Sequence, residues 1–443
     1  MGIPRMVKCG LGLILWTGVA AGEQRPGDRA DSFVKAPPAA VRLDWALEEG
    51  KGLVLREGPL VFPVSVQNRA GSSLSGSLRW TVKDDEGTVL RRSEEALVLA
   101  ADTSIAVKQV YQAPGPGFYQ FHCAFHSATL KKPVTLVKFV GYRPGKITSR
   151  LTREPDFDGF WEETLAQLAR VDPAFKLERK AGRDSATHEV YEVSMRSLGG
   201  VRVRGWYEKP RGKGPVSALL RLPGYGENMK PTGRADPLAY FSFNVRGHGN
   251  STEDVPGTPY DYWIRGLDDK QGYYYRGAYA DCVRAVDFLA TRPEVDMARL
   301  GVTGVSQGGG LSLATAALDA RIRFCAPDIP FLCDWARYFK TSTWPEMNKW
   351  VAAKPERGWD RTLRTMSYFD TLNFADRITC PVLLSLGVQD AICPPGTVFA
   401  VYNRLAGKKA FHAYPNAGHG VPASHRSLRR AWIREQAGRV ETP

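Results

Sequence analysis

The sequence predicts a mostly parallel α/β fold preceded by a small antiparallel β-sandwich, and three observations carry that prediction. Apolar residues recur with period two between turn signals over residues 41–140. Further on, short apolar runs such as "SALLRLPG" and "PVLLSLG" alternate with helical ones, the pattern of strands covered on both faces by crossover helices. One such strand and helix are joined by "LGVTGVSQGGGLSL", where glycines crowd the turn. At 443 residues, 43% hydrophobic and 11% aromatic, the chain can bury more than one core.

Residues 1–21 read as an export signal. Arg5 and Lys8 precede an apolar run from Leu11 to Ala21, and the small residues Val19 and Ala21 suit cleavage near Ala21 or Gly22. The run is too short to span a bilayer comfortably, so the expectation is a secreted or periplasmic protein with no stable membrane insertion after cleavage. Cys9 lies before the run and is not placed as a lipid-attachment site. The other cysteines, Cys123, Cys282, Cys325, Cys333, Cys380 and Cys393, form no C-x-x-C pair and read as buried small apolar residues, with pairing left open by export. The formal charge of +14 comes from scattered basic residues without a base-stacking module, so nucleic acid is not expected as a partner.

The sandwich, residues 41–145, rests on Leu60, Phe62, Val64 and Val66, then Leu78, Trp80 and Val82, then Tyr119, Phe121, Cys123 and Phe125. "DDEG" and "APGPG" separate the runs as turns. His122 and His126 would share the opposite face of the last run, where a solvated surface is favoured over a metal site. The polar stretch "GYRPGKITSRLTREPD" reads as a linker. Residues 151–437 follow as the α/β region, with Trp161, Leu165 and Leu168 at helical spacing and Asp158 available to cap the start. Cys282, Val286 and Leu289 mark a second amphipathic helix.

Within "LGVTGVSQGGGLSL", Gly304-Val305-Ser306-Gln307-Gly308 is G-x-S-x-G at a strand-to-helix junction. Glycines on either side let backbone segments approach closely at a turn where Ser306 must take an unfavourable conformation and present its hydroxyl at the strand ends. A phosphate cradle would need a Gly-Lys-Ser/Thr ending that is missing. No cofactor or metal is assigned to the site. A serine nucleophile needs a base and an acid to orient that base, and on this kind of turn both follow in chain order. Asp390 lies just past the apolar strand in "PVLLSLGVQD", and His419 sits in a glycine-flanked loop in "YPNAGHG". His412 lies inside a strand-like run and His425 beyond the loop. His248 is the rival base but precedes the serine, and Asp370 and Asp376 do not directly follow a buried strand. An oxyanion needs N–H donors, which the residue after the nucleophile, Gln307, and Tyr225 in "LRLPGYGEN" can provide; Pro223 has no N–H to give.

"GVSQGGG", "NVRGHGNS", "RGLDDKQGYYYRGAYADCVRAVDFL", "DIPFLCDW", "RTMSYFDTLNFADRI" and "GVQDAICPPGTVFAVYN" together resemble the acetyl xylan esterase/cephalosporin-C deacetylase family, from about Pro155 to His425. The resemblance implies an α/β-hydrolase fold and a serine esterase that removes acetyl groups from acetylated xylan, xylo-oligosaccharides or related small acetyl esters. It also implies the triad Ser306, Asp390 and His419, an oxyanion hole from the N–H groups of Tyr225 and Gln307, and ring-like homo-oligomers. There are departures: the family's R-G-Q reads Arg246-Gly247-His248, Gly420 stands where a Glu usually follows the catalytic His, and Asn244 replaces an Asp. Arg246 is expected to brace loops. The sandwich lies outside the resemblance, and because all these candidates lie beyond Leu222 it is expected to be an appended module for positioning or assembly. The alternatives are a dipeptidyl-peptidase-like or dienelactone-hydrolase-like reaction on the same triad, or a noncatalytic carbohydrate-binding protein.

Overall fold

The period-two runs become two facing sheets. In the computed structural model, which describes residues 40–45, 52–212, 214–342 and 344–438, the strands β1 (Val41–Trp45), β2 (Leu53–Val54), β3 (Leu60–Asn68), β4 (Leu74–Lys83), β5 (Val89–Leu99), β6 (Ser104–Tyr111), β7 (Gly117–His126) and β8 (Val134–Tyr142) come first. The export signal read at residues 1–21, and Cys9 with it, lies outside the described residues. One sheet has the order β1-β3-β6 and the other β2-β8-β7-β4-β5. Their inner faces carry the alternating residues named above, and Phe62 stacks on Phe121 between the sheets with ring centroids 4.5 Å apart. His122 and His126 point the other way, and no further metal-ligating side chain forms a group with them among the described residues.

The second region continues with α1 (Phe157–Ala169), β9 (Lys176–Arg179), β10 (His188–Arg196), β11 (Arg202–Pro210), β12 (Val216–Leu222), β13 (Ala239–Asn244), α2 (Tyr274–Ala290), β14 (Val295–Val305) and α3 (Gln307–Leu318). It ends with β15 (Phe324–Asp328), α4 (Trp335–Thr341), α5 (Pro345–Ala352), α6 (Trp359–Ser367), β16 (Val382–Gly387), α7 (Pro395–Arg404), β17 (Lys409–Tyr414) and α8 (Ala423–Gly438). These strands form one sheet in the order β17-β16-β15-β14-β12-β13-β11-β10-β9. The six from β17 to β13 are parallel, and β11, β10 and β9 add an antiparallel edge. Alternation sets the two faces: Leu219 and Tyr240 pack under Ile433 and Ala437 of α8, while Leu220 and Phe241 enter the larger core with Cys282, Val286 and Leu289 of α2. Because helices cover both faces, β13 and β16 are buried at every residue.

Two local expectations change. Asp158 lies inside the first turn of α1, paired with Arg377, and does not cap the helix, which Asp156 precedes. The stretch read as a linker is strapped down: β8 takes its first two residues, and Ile147 is buried in the α/β core. Asn403 donates to the carbonyls of Pro144 and Ile147 at 2.9 and 2.8 Å, and Thr152 N–H donates to Asn373 Oδ1 at 3.0 Å. The described residues form one compact unit. The six described cysteines are free, five of them buried. No helix among the described residues is long and apolar enough to cross a membrane.

Candidate active site

The carboxyl ends of β12, β14, β16 and β17 bring the chemically active residues together, as expected where parallel strands hand over to loops and helices. Ser306, between β14 and α3, has φ 57° and ψ −119°, a conformation few non-glycine residues adopt. Its backbone is held from several sides: the N–H donates to Asp328 O at 3.0 Å, and the carbonyl accepts from Gly310 N at 3.1 Å and Phe331 N at 2.9 Å. A Cβ at Gly304 would run into the backbone of Gly308, and one at Gly308 into the Leu222 carbonyl, so both positions require glycine.

His419 Nε2 lies 3.0 Å from Ser306 Oγ, and His419 Nδ1 lies 2.9 Å from Asp390 Oδ2. Asp390 is buried, and its other oxygen accepts the N–H groups of Ile392 and Cys393 at 2.8 and 2.9 Å. An ionised Asp390 can only accept, so His419 carries its proton on Nδ1 and offers Nε2 to the serine hydroxyl. The Cys393 thiol completes a group with Asp390 and His419, and burial holds its pKa well above the usual value.

The other candidates fall elsewhere. Asp370 is buried but accepts backbone N–H groups from Asp334, Trp335 and Leu372, and Asp376 pairs with Arg153. His412 lies in β17, next to the ring of His425. His425 Nε2 donates to Asp328 Oδ1 at 2.8 Å, and Asp328 also takes Arg429 and the Ser385 hydroxyl, tying α8 to β15 beside Ser306. Arg246 forms a buried pair with Asp281 at 2.8 Å and donates to Leu198 O, which is a bracing geometry. Asn244 both accepts from Met229 N and donates to Met229 O and Asn250 Oδ1, a combination that an ionised Asp cannot make. A Cβ at Gly420 would meet nothing within 4 Å.

The loop after β12 lies against the turn at Ser306. The position of a Cβ at Gly224 is 3.5 Å from Val305 O, and Gly224 N donates to Glu227 Oε2 at 2.7 Å, which closes the loop around Tyr225. His248 joins this loop to α3, a role that sequence reasoning missed. Its Nε2 accepts from Gly226 N at 3.3 Å and from Gln307 Nε2 at 3.2 Å. The proton order is fixed by neighbours: Tyr275 Oη donates to Gln307 Oε1 at 2.9 Å, which turns the Gln307 amino group toward the ring, and Nδ1 of His248 faces Tyr274 Oη. The visible signal was a histidine where the resembled motif has Gln.

Burial pushes His248 from 6.5 down to about 4. Between those values the unfolded chain takes up a proton that the folded protein refuses, so stability falls as pH falls through that window, by about 3 kcal/mol at most. His248→Gln, whose amide oxygen can accept the same N–H groups, is expected to remove that increment. Urea midpoints of both proteins across the window check it; an unchanged pH slope in the variant would show that His248 is not held neutral by burial.

A parallel sheet whose strand-to-helix turn sets a serine against an imidazole oriented by a carboxylate defines an α/β-hydrolase. The chain belongs to the acetyl xylan esterase (AXE1) family, whose profile matches residues 133–435, and it is a carboxylic ester hydrolase. It is 30% identical over 315 residues to the acetyl esterase Axe7A of Xylanibacter ruminicola, covering 67% of this chain and 70% of that protein. The crystal structure of acetyl xylan esterase 1 from Thermoanaerobacterium sp. JW/SL YS485 superposes with a TM-score of 0.62 at 31% identity, covering 66% of this chain and 98% of that one. An acetyl xylan esterase from Paenibacillus sp. R4 gives a TM-score of 0.60 at 32% identity, with the same coverage of 66% and 98%. Strands β1 to β7 precede the region that the family profile matches.

Proposed function

We propose that the protein is a serine esterase that removes acetyl groups from acetylated xylan, xylo-oligosaccharides or related small acetyl esters through an acyl-enzyme on Ser306. The observation that carries this reading is the aligned set Ser306 Oγ, His419 Nε2 and Asp390 Oδ2, at 3.0 and 2.9 Å, on a turn with positive φ. As Ser306 Oγ attacks the acetyl carbonyl, His419 Nε2 takes the hydroxyl proton and Asp390 stabilises the imidazolium. The tetrahedral oxygen is held by the N–H groups of Gln307, at the start of α3, and Tyr225, in the loop pressed against it. His419 then gives the proton to the departing sugar oxygen, and a water activated by the same imidazole releases acetate. Acetate release from a panel of acetylated polysaccharides tests the reading, and cleavage of peptide amides without acetate release would overturn it.

Residues 41–145 stand in this reading as an accessory domain and 151–437 as the catalytic domain, with residues 1–21 a removable export signal. Ring-like assembly belongs to the same reading; sedimentation showing a strict monomer would remove it.

Acyl size follows from the aromatic cluster beside the serine. Phe331, whose N–H holds Ser306 O, packs against Trp335, Tyr338 and Trp344, and Trp344 stacks on Trp263 at 4.2 Å. An extra methylene entering an apolar pocket gains roughly 1 kcal/mol by leaving water, so preference for the smallest acyl group requires a rigid wall. Activity is expected to be highest on acetyl esters and to fall steeply by butyryl. Measuring kcat/KM across acetyl, propionyl, butyryl and octanoyl esters of one alcohol decides it, and an optimum at butyryl or longer would reject acetyl specificity.

A further inference from the structure

Gln389, immediately before Asp390, connects the sandwich to both loops of the triad. The backbone already ties the acid loop to the base loop, since Val388 N donates to Tyr414 O at 3.0 Å and Gln389 N to Ala417 O at 2.9 Å. The Gln389 side chain leaves this pair and reaches β8: its Oε1 accepts Phe139 N at 2.9 Å, and its Nε2 donates to Phe139 O at 2.9 Å and to Pro415 O at 2.7 Å. The reason Phe139 is available lies in the register. On this side of β8, Gly141 N donates to Gly52 O and Arg143 N to Val54 O, and the Gln389 amide takes the next place in the same ladder. It does for β8 what another β2 residue would do.

Other contacts converge on the same loops. Gly52 sits on Pro415 so closely that a Cβ there would be 2.6 Å from Pro415 Cβ. The hairpin between β4 and β5 sends Asp85 to Arg337 of α4 at 2.9 Å, and its carboxylate lies 2.8 Å from the position of a Cβ at Gly396, in the first turn of α7. Phe118 of β7 packs against Phe399 of α7 with centroids 5.9 Å apart. The sandwich therefore holds the acid segment before Asp390, through Gln389, and after it, through α7.

We propose that the β-sandwich is a positioning part of the catalytic apparatus, with Gln389 as the residue that keeps the Asp390 and His419 loops in register. This rests on the reading of Asp390 and His419 as acid and base. It assigns to the sandwich no group that touches substrate. Displacement of a catalytic group by about 1 Å can cost on the order of 10²-fold in rate, and three hydrogen bonds from one amide restrain both loops at once.

The test uses the full chain with Gln389→Met, which keeps the side-chain length and removes the amide, and Gly52→Ala, which pushes on Pro415 from the sandwich side. Both are expected to lower kcat about 10- to 100-fold with KM little changed. Folded variants with wild-type kcat would overturn the proposal, and so would a rise in KM alone, which would place the sandwich in substrate binding. Asp390→Asn is measured in parallel: if it remains active, the acid assignment has failed, whereas an inactive Asp390→Asn beside an unaffected Gln389→Met refutes only the positioning role.

Discussion

Ser306→Ala is expected to lower kcat/KM on acetyl esters on the order of 10⁴-fold or more while the protein stays folded. The strained backbone at this position is held by Asp328 O, Gly310 N and Phe331 N, none of which involves the hydroxyl. Removing Oγ leaves the turn in place and takes away the atom that His419 Nε2 faces at 3.0 Å. Residual activity would come from the oxyanion donors and substrate positioning alone. Circular dichroism and thermal melting establish the fold, and hydrolysis with loss of fluorophosphonate labelling gives the effect. A folded variant with near wild-type turnover would remove the nucleophile assignment.

Asp390→Asn is expected to be nearly as damaging, on the order of 10⁴-fold in kcat, for a different reason. The asparagine carbonyl can still accept the N–H groups of Ile392 and Cys393, so the loop keeps its shape. Its amino group then faces His419 Nδ1 and donates where the carboxylate accepted. That turns the imidazole into the tautomer with its proton on Nε2, which has no lone pair for the Ser306 hydroxyl. Kinetics of the folded variant check this, and turnover within tenfold of wild type would show that another group orients His419.

The elements of the fold were legible because their signals are local. Strand β3 alternates buried and more exposed residues along its length, and β16 is buried throughout; each pattern follows from how many faces the strand buries. G-x-S-x-G declared the turn through glycines that the backbone of Gly308 and Leu222 leaves no room to replace. Asp390 and His419 could be chosen because each follows a short apolar run that ends at the same edge of the sheet. Asp158 was misplaced by two positions, within the usual uncertainty of a helix boundary, and the linker was misjudged because its backbone is anchored by side chains from elsewhere.

By itself the sequence determined the fold class, the alternating runs of β3, β4 and β7, the turn that presents Ser306 and the candidates for its acid and base, since periodicity, glycine spacing and chain order act over a few residues. The tertiary structure alone decided the rest. His248 reaches Gln307 across 59 residues of chain, His425 reaches Asp328 across 97, and Gln389 reaches Phe139 across 250. In each case a polar side chain, removed from water by packing, must find its hydrogen-bond partner in whatever element the fold brings beside it, and no local pattern records which element that is.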